Sequence, residues 1–140
     1  MPNSELVEIY ILYFRSVLEQ SCQVWHHSLT EGDSMDIERV QKVACKIILK
    51  NSYTDYESAL ETLNLETLSE RRRILCLRFA KKCLRNNQTK SMFPTNPPNH
   101  SNSRSTDKYT VQFCRTARLG QSFIPQLQRA LNEDHRTNQK

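Results

Sequence analysis

Along residues 4–28 apolar positions recur at helical spacing and also fill the arcs between. Leu6, Ile9, Tyr10, Tyr13, Val17 and Cys22 follow the helical period, while Val7, Ile11, Leu12, Phe14, Leu18, Val24 and Trp25 fall on other faces. The pattern predicts one helix from Ser4 to Ser28. Ser4 would cap it, and Glu5 lies in the first turn, where the helix dipole favours an acid. A helix apolar nearly all round should be central, covered by other helices or by a partner.

Glu31-Gly32-Asp33 reads as a turn, and a second helix is expected over residues 34–50 with Asp33 and Asp36 at its start. Ile37, Val40, Ala44, Ile47 and Ile48 form an apolar stripe on it. Arg39, Lys42, Lys46 and Lys50 form a basic stripe, roughly 145° away at ~100° per residue. Thr54-Asp-Tyr-Glu57 reads as a capping box opening a third helix with Tyr56, Ala59, Leu60 and Leu63, ended by Asn64 and Leu65. A second box, Thr67-Leu-Ser-Glu70, opens a fourth helix that runs to about Arg85. Its apolar face is Cys76, Phe79, Ala80, Cys83 and Leu84, and Arg71, Arg78, Lys82 and Arg85 form the opposite stripe.

Beyond Arg85 the periods stop. Residues 87–108 are rich in Asn, Ser and Pro and read as a flexible linker, with Met92-Phe93-Pro94 as its apolar anchor. Tyr109, Val111 and Phe113 alternate, which predicts a short strand. Ser122 would cap a last short helix carrying Pro125, Leu127 and Leu131, and residues 133–140 read as a disordered polar tail. The expectation is an all-α bundle over residues 4–86, the linker, and a C-terminal appendage of strand and helix over residues 109–132.

Composition narrows the chemistry. The chain has two glycines in 140 residues, Gly32 and Gly120, 88 positions apart. A phosphate-cradling loop or dinucleotide-binding turn needs them clustered. The net charge of +5 is unevenly placed: residues 1–38 hold seven acids and one base, and the rest carries +11. Such asymmetry fits a polyanionic partner or a generally basic protein. The N-terminus lacks a basic leader, and the longest apolar run, Ile9 to Phe14, falls short of the ~20 residues that span a bilayer. The five cysteines show no framework spacing, so reduced thiols in an intracellular protein are expected, in cytoplasm or nucleus.

No catalytic constellation emerges. His26, His27, His100 and His135 have no Cys-x-x-Cys or His-x-x-x-His companions, so a zinc site lacks a local scaffold. Cys76 and Cys83 share a helix face with Phe79, as core residues do. Trp25-His26-His27 reads as a core anchor followed by histidines at a helix end. There is no Gly-x-Ser-x-Gly elbow, and the one adjacent pair of acids is Glu133-Asp134 in the tail. No cofactor, metal or small-molecule substrate is expected. The two basic stripes remain, either as a row of cations for a phosphate backbone or as solvated faces.

The same residues carry a family resemblance. The run from Ile9 to His26 and the run from Ile37 to Leu49 resemble the region after the catalytic domain in reverse transcriptases of non-LTR retrotransposons, of the jockey and CR1 types. The likeness continues through Tyr56-Glu-Ser-Ala-Leu, Leu63-Asn-Leu-Glu-Thr-Leu-Ser-Glu-Arg-Arg and Phe79-Ala-Lys-Lys-Cys. It ends with Met92-Phe-Pro, Arg115-Thr-Ala-Arg-Leu, Ser122-Phe-Ile-Pro and Leu131-Asn, so it spans about residues 6–132.

The resemblance implies a thumb-like helical bundle that grips the template–primer nucleic acid beside a polymerase palm. The palm's paired aspartates, the fingers and the upstream endonuclease are not in the chain. The expectation is therefore a truncated, non-catalytic C-terminal fragment of an RNA-directed DNA polymerase, with the palm as its missing partner. The alternatives are a helical protein–protein interaction module docking through the apolar first helix, or a transposon relic without function.

Overall fold

The computed structural model describes residues 2–96 and 107–138. The fold is all-α: among the described residues there is no strand, and helices α1 to α9 account for most of the chain. Two compact units are present. The first is built from residues 1–22 and 29–73, the second from residues 23–28 and from residue 74 onward.

The first unit begins with a helical rod, α1 (Asn3–Ile9), a wider π-helical stretch (Tyr10–Arg15) and α2 (Ser16–Glu19). Pro2, not Ser4, sits at the N-cap, and no side chain caps the helix. Ser16 bonds back to the Leu12 carbonyl at 2.6 Å, a contact that loosens the regular ladder where the π stretch ends. The expected single helix to Ser28 is broken at Gln20 and Ser21. Ser21 has φ 52°, and the chain restarts as α3 (Cys22–Trp25) and a 3-10 turn, His26–Ser28. The rod is also not central. Tyr10 is buried, but Leu12, Tyr13, Phe14 and Val17 are exposed.

Helix α4 (Glu31–Leu49) starts three residues earlier than expected because Thr30 caps it. Thr30 Oγ1 accepts from the Asp33 N–H at 3.1 Å, and the Asp33 carboxylate accepts from the Thr30 N–H at 3.1 Å. The Glu31-Gly32-Asp33 turn is thus the first turn of the helix. The core side of α4 is Gln41, Cys45, Ile48 and Leu49. Of the expected apolar stripe, Ile48 is buried while Val40 and Ile47 are 43% and 63% exposed.

Helix α5 (Tyr56–Leu63) is capped by Asp55, one residue after the expected Thr54, with the Asp55 carboxylate accepting from the Ser58 N–H at 2.9 Å. It ends on Asn64 in the left-handed conformation, where the Leu65 N–H reaches the Leu60 carbonyl at 2.8 Å. Helix α6 (Leu68–Arg85) follows. Thr67 caps it as expected, accepting from the Glu70 N–H at 3.3 Å, but the Glu70 side chain pairs with Arg73 at 2.7 Å instead of closing the box. The core of the unit gathers Tyr10, Cys45, Ile48, Leu49, Ala59, Leu60, Leu63 and Leu65. Each buried leucine or isoleucine contributes on the order of 1.5–3 kcal/mol.

From Ile74 onward α6 belongs to the second unit. Its core is Cys76, Ala80, Cys83, Phe93, Leu127 and Leu131. Residues 87–96 are more ordered than a linker: α7 (Asn87–Lys90) is capped by Asn86, and Phe93 is 2% exposed. The remainder of the expected linker, 97–106, lies outside the described residues.

Tyr109 makes one bridge with Thr95, but no strand forms, and Phe113 is 83% exposed. The extended segment bonds instead to two buried amides of α9 (Phe123–Thr137), which follows the short helix α8 (Ala117–Gly120). Asn132 accepts from the Tyr109 N–H at 2.8 Å and donates to the Tyr109 carbonyl at 2.9 Å. Gln128 accepts from the Gln112 N–H at 2.8 Å and donates to the Met92 carbonyl at 2.8 Å. Helix α9 continues to Thr137, through most of the expected tail. Ser122 occupies its N-cap position, but its hydroxyl bonds to the Leu119 carbonyl and caps no N–H.

Candidate nucleic-acid interface

Helix α4 carries three different surfaces. Its core side is Gln41, Cys45, Ile48 and Leu49. At ~100° per residue the basic row Arg39, Lys42, Lys46 and Lys50 is centred roughly 120° from the core side. Val40, Val43 and Ile47 form an exposed apolar strip roughly 90° from the basic row on the other flank.

All four residues of the α4 row are exposed. Lys42 Nζ lies 6.0 Å from the centroid of the Tyr56 ring and Lys46 Nζ 5.4 Å from that of Tyr53. These rings hold the two lysines without neutralising them, at about 0.5–1 kcal/mol each for an exposed contact. Arg39 pairs with Asp36 at 2.8 Å, with both side chains about 70% exposed, so water and a competing anion reach it. Lys50 sits at the end of the helix with φ 49°. Composition gave no hint of the two tyrosines as supports, because both lie past the end of the helix they serve.

Beneath the row a buried polar chain ties the first unit together. Gln41 donates to the Tyr56 hydroxyl at 3.0 Å and to the Glu66 carbonyl at 2.8 Å. Tyr56 donates to Glu38, whose carboxylate also accepts the N–H groups of Leu68 and Ser69 at 3.1 and 3.2 Å. Glu38 on α4 thereby satisfies the free N–H groups that open α6. Burial raises the Tyr56 phenol far above its ordinary value, and the Glu38 hydrogen bond adds to the effect.

The α6 stripe is not one surface. Arg71 lies in the first unit and is engaged: it makes two hydrogen bonds to the Glu19 carboxylate and lies 3.5 Å from Glu66. Its side chain is 26% exposed. Arg78, Lys82 and Arg85 are exposed and belong to the second unit. The neighbouring arginines have separate fates. Arg72 is buried and donates to Ser34 Oγ at 3.0 Å, and Arg73 pairs with Glu70. Lys81 pairs with Asp134 at 2.8 Å, which places half of the Glu133-Asp134 pair in an ion pair.

His26 and His27 sit at a helix end, in the 3-10 turn that follows α3. His26 and His27 lie ring to ring at 4.9 Å, and burial pushes the His27 imidazole below its ordinary pKa. Cys22, Cys45, Cys76 and Cys83 are buried. Among the described residues no three His, Cys, Asp or Glu side chains come close enough to hold a metal ion, and no helix is long and apolar enough to cross a membrane. His100 lies outside the described residues.

The second exposed feature is apolar and belongs to the first unit. A groove of about 240 Å³ runs between the α1 rod and α4, with Leu6, Ile9, Phe14, Val40, Val43 and Ile47 among its walls. Compared with protein-family models, curated proteins and solved structures, the chain matches none of them.

Proposed function

We propose that the chain is a non-catalytic helical region that grips a nucleic-acid backbone. This is the role implied by its likeness to the thumb-like region following the palm in non-LTR retrotransposon reverse transcriptases, where the palm would be its partner. The observation that carries the reading is the α4 row. Three exposed bases, Arg39, Lys42 and Lys46, line one side of a 19-residue helix and Lys50 follows at its C-cap, with no acid from Arg39 to Lys50. At 1.5 Å per residue the helical part of the row, Arg39 to Lys46, spans roughly 10 Å, enough to face successive phosphates. Arg78, Lys82 and Arg85 offer a second set, while Arg71 serves the fold.

The measurement is the slope of log affinity against log salt for RNA–DNA and DNA duplexes. Replacing Arg39, Lys42, Lys46 and Lys50 with Gln should lower the slope by roughly 0.9 for each base engaged. Little sequence preference is expected, because phosphate contacts position without specifying. A quadruple variant with unchanged affinity and slope would sink the reading.

A second reading has its own observation. Val40, Val43 and Ile47 of α4, with Ile9 and Phe14 of the rod, are exposed and line one groove in the first unit. This supports a helical protein-interaction module docking through the rod.

A further inference from the structure

We propose that the apolar face shared by the rod and α4 closes against the same face of a second copy of this chain, about a two-fold axis that runs along the helices. This rests on the protein-interaction reading of that face, and it shares Lys46 with the nucleic-acid row.

The face is open and apolar. On the rod Ile9 and Phe14 are 36% and 57% exposed, and on α4 Val40, Val43 and Ile47 are 43%, 49% and 63% exposed. The groove between the two helices is walled by apolar side chains. An exposed strip of this kind on a small unit marks an interaction surface.

Charge at the two edges selects the occupant. From Pro2 to Phe14 the chain holds Glu5 and Glu8 and no base. From Arg39 to Lys50 it holds four bases and no acid. Glu5 falls roughly between Ile9 and Leu12 around the rod, and Lys46 stands one turn beyond Val43 on α4. The strip is therefore edged by acid on the rod side and by base on the α4 side.

A two-fold axis lying in the face and parallel to the helices sets the rod of each copy over α4 of the other. Acidic edge then meets basic edge twice, and the apolar strips meet in the middle. An axis running across the helices would set acid on acid. The charge pattern thus favours one isologous arrangement over its alternative. A partner of one charge sign would be attracted at one edge and repelled at the other.

Sedimentation equilibrium of the full chain over a range of concentrations tests this. The mass should move from 16.5 kDa toward twice that value, more readily at low salt. Ile47→Asp, at an exposed position, should hold the chain at 16.5 kDa with unchanged helicity by circular dichroism. Glu5→Lys and Lys46→Glu should each weaken association, and an equimolar mixture of the two should restore it.

A wild type that stays at 16.5 kDa, a dimer that survives Ile47→Asp, or a mixture that fails to associate would each overturn the proposal. If the wild type is monomeric, binding of an apolar dye that Ile47→Asp abolishes would keep the face as a docking surface and remove the second copy as its occupant. No dye binding would remove the docking surface as well. The salt slope for nucleic acid, measured on Ile47→Asp, reports the basic row separately.

Discussion

Tyr10 donates its hydroxyl to Gln41 Oε1 at 2.7 Å, and both side chains are buried, at 3% and 0% exposure. The bond joins residues 31 positions apart and fixes the rod against α4. Gln41 is fully used: its amide nitrogen serves Tyr56 and the Glu66 carbonyl. Tyr10→Phe should cost about 1–3 kcal/mol by leaving a buried acceptor without its donor. Gln41→Leu should cost at least as much. The double variant should be more stable than the sum of the two losses, by about 0.5–3 kcal/mol. Urea denaturation of the four proteins reads the cycle. Strict additivity would mean that the bond does not couple the two residues.

Alkaline pH should unfold the protein through the same pair of phenols. Burial raises Tyr10 and Tyr56 far above the ordinary value of 10.0. Above pH 10 an unfolded tyrosine loses its proton while these two keep theirs. The unfolded state then binds fewer protons, so stability is intact below pH 10 and falls as pH rises beyond it. The slope should reach up to about 1.4 kcal/mol per pH unit for each tyrosine. Tyr10→Phe should remove one share of it. A flat stability profile between pH 9 and 12 would contradict the burial of both hydroxyls.

Arg71 should separate from the other bases in the same stripe. Its hydrogen bonds to Glu19 tie α6 to α2 inside the first unit. Arg71→Gln should cost about 1.5–3 kcal/mol of stability, the range for a charge-assisted bond, and leave the salt slope of nucleic-acid binding unchanged. Arg78, Lys82 and Arg85→Gln should do the reverse. A variant at Arg71 with full stability and a reduced slope would exchange these roles.

Ser21 holds φ 52° where the rod stops and α3 begins. A side chain there is strained, and glycine is not. Ser21→Gly should therefore stabilise by about 0.5–1 kcal/mol despite the greater freedom it gives the unfolded chain. Thermal melting would show it as a rise in Tm, and a fall would mean that the serine side chain is needed at the break.

Asn132 stands in for a neighbouring strand, accepting from and donating to the backbone of Tyr109. Asn132→Asp replaces the donor with an oxygen facing the Tyr109 carbonyl, and it should cost about 2–3 kcal/mol at neutral pH. Amide exchange at Tyr109 should quicken. Unchanged protection there would mean that the segment is held by other contacts.

The starts of α5 and α6 were legible within a residue, because a capping residue bonds only to its own first turn. So was the α4 basic row, since charged side chains on a helix seek water. The core side of α4 was not. The expected apolar stripe lies roughly 90° from the buried residues at ~100° per residue. Hydrophobicity weighed Val40 and Ile47 above Gln41, but Gln41 is satisfied by Tyr10, Tyr56 and Glu66, residues distant in sequence. Alternation at Tyr109, Val111 and Phe113 suggested a strand for the same kind of reason. The hydrogen-bond partners of that segment are side chains of α9, which carry no β pattern. The break at Ser21 had no glycine or proline to announce it.

With core, cations and apolar strip sharing its circumference, α4 has no spare arc. A single-residue insertion after Asp36 would turn every later position by roughly 100°. That would carry Cys45 toward the cations' place, the lysines toward the strip, and Val40 and Ile47 toward the interior. Substitutions on this helix can be absorbed one surface at a time, but a change in its length alters all three together. Length variation should therefore be confined to the segments flanking α4, and deletion scanning would find the helix intolerant along its whole span from Glu31 to Leu49.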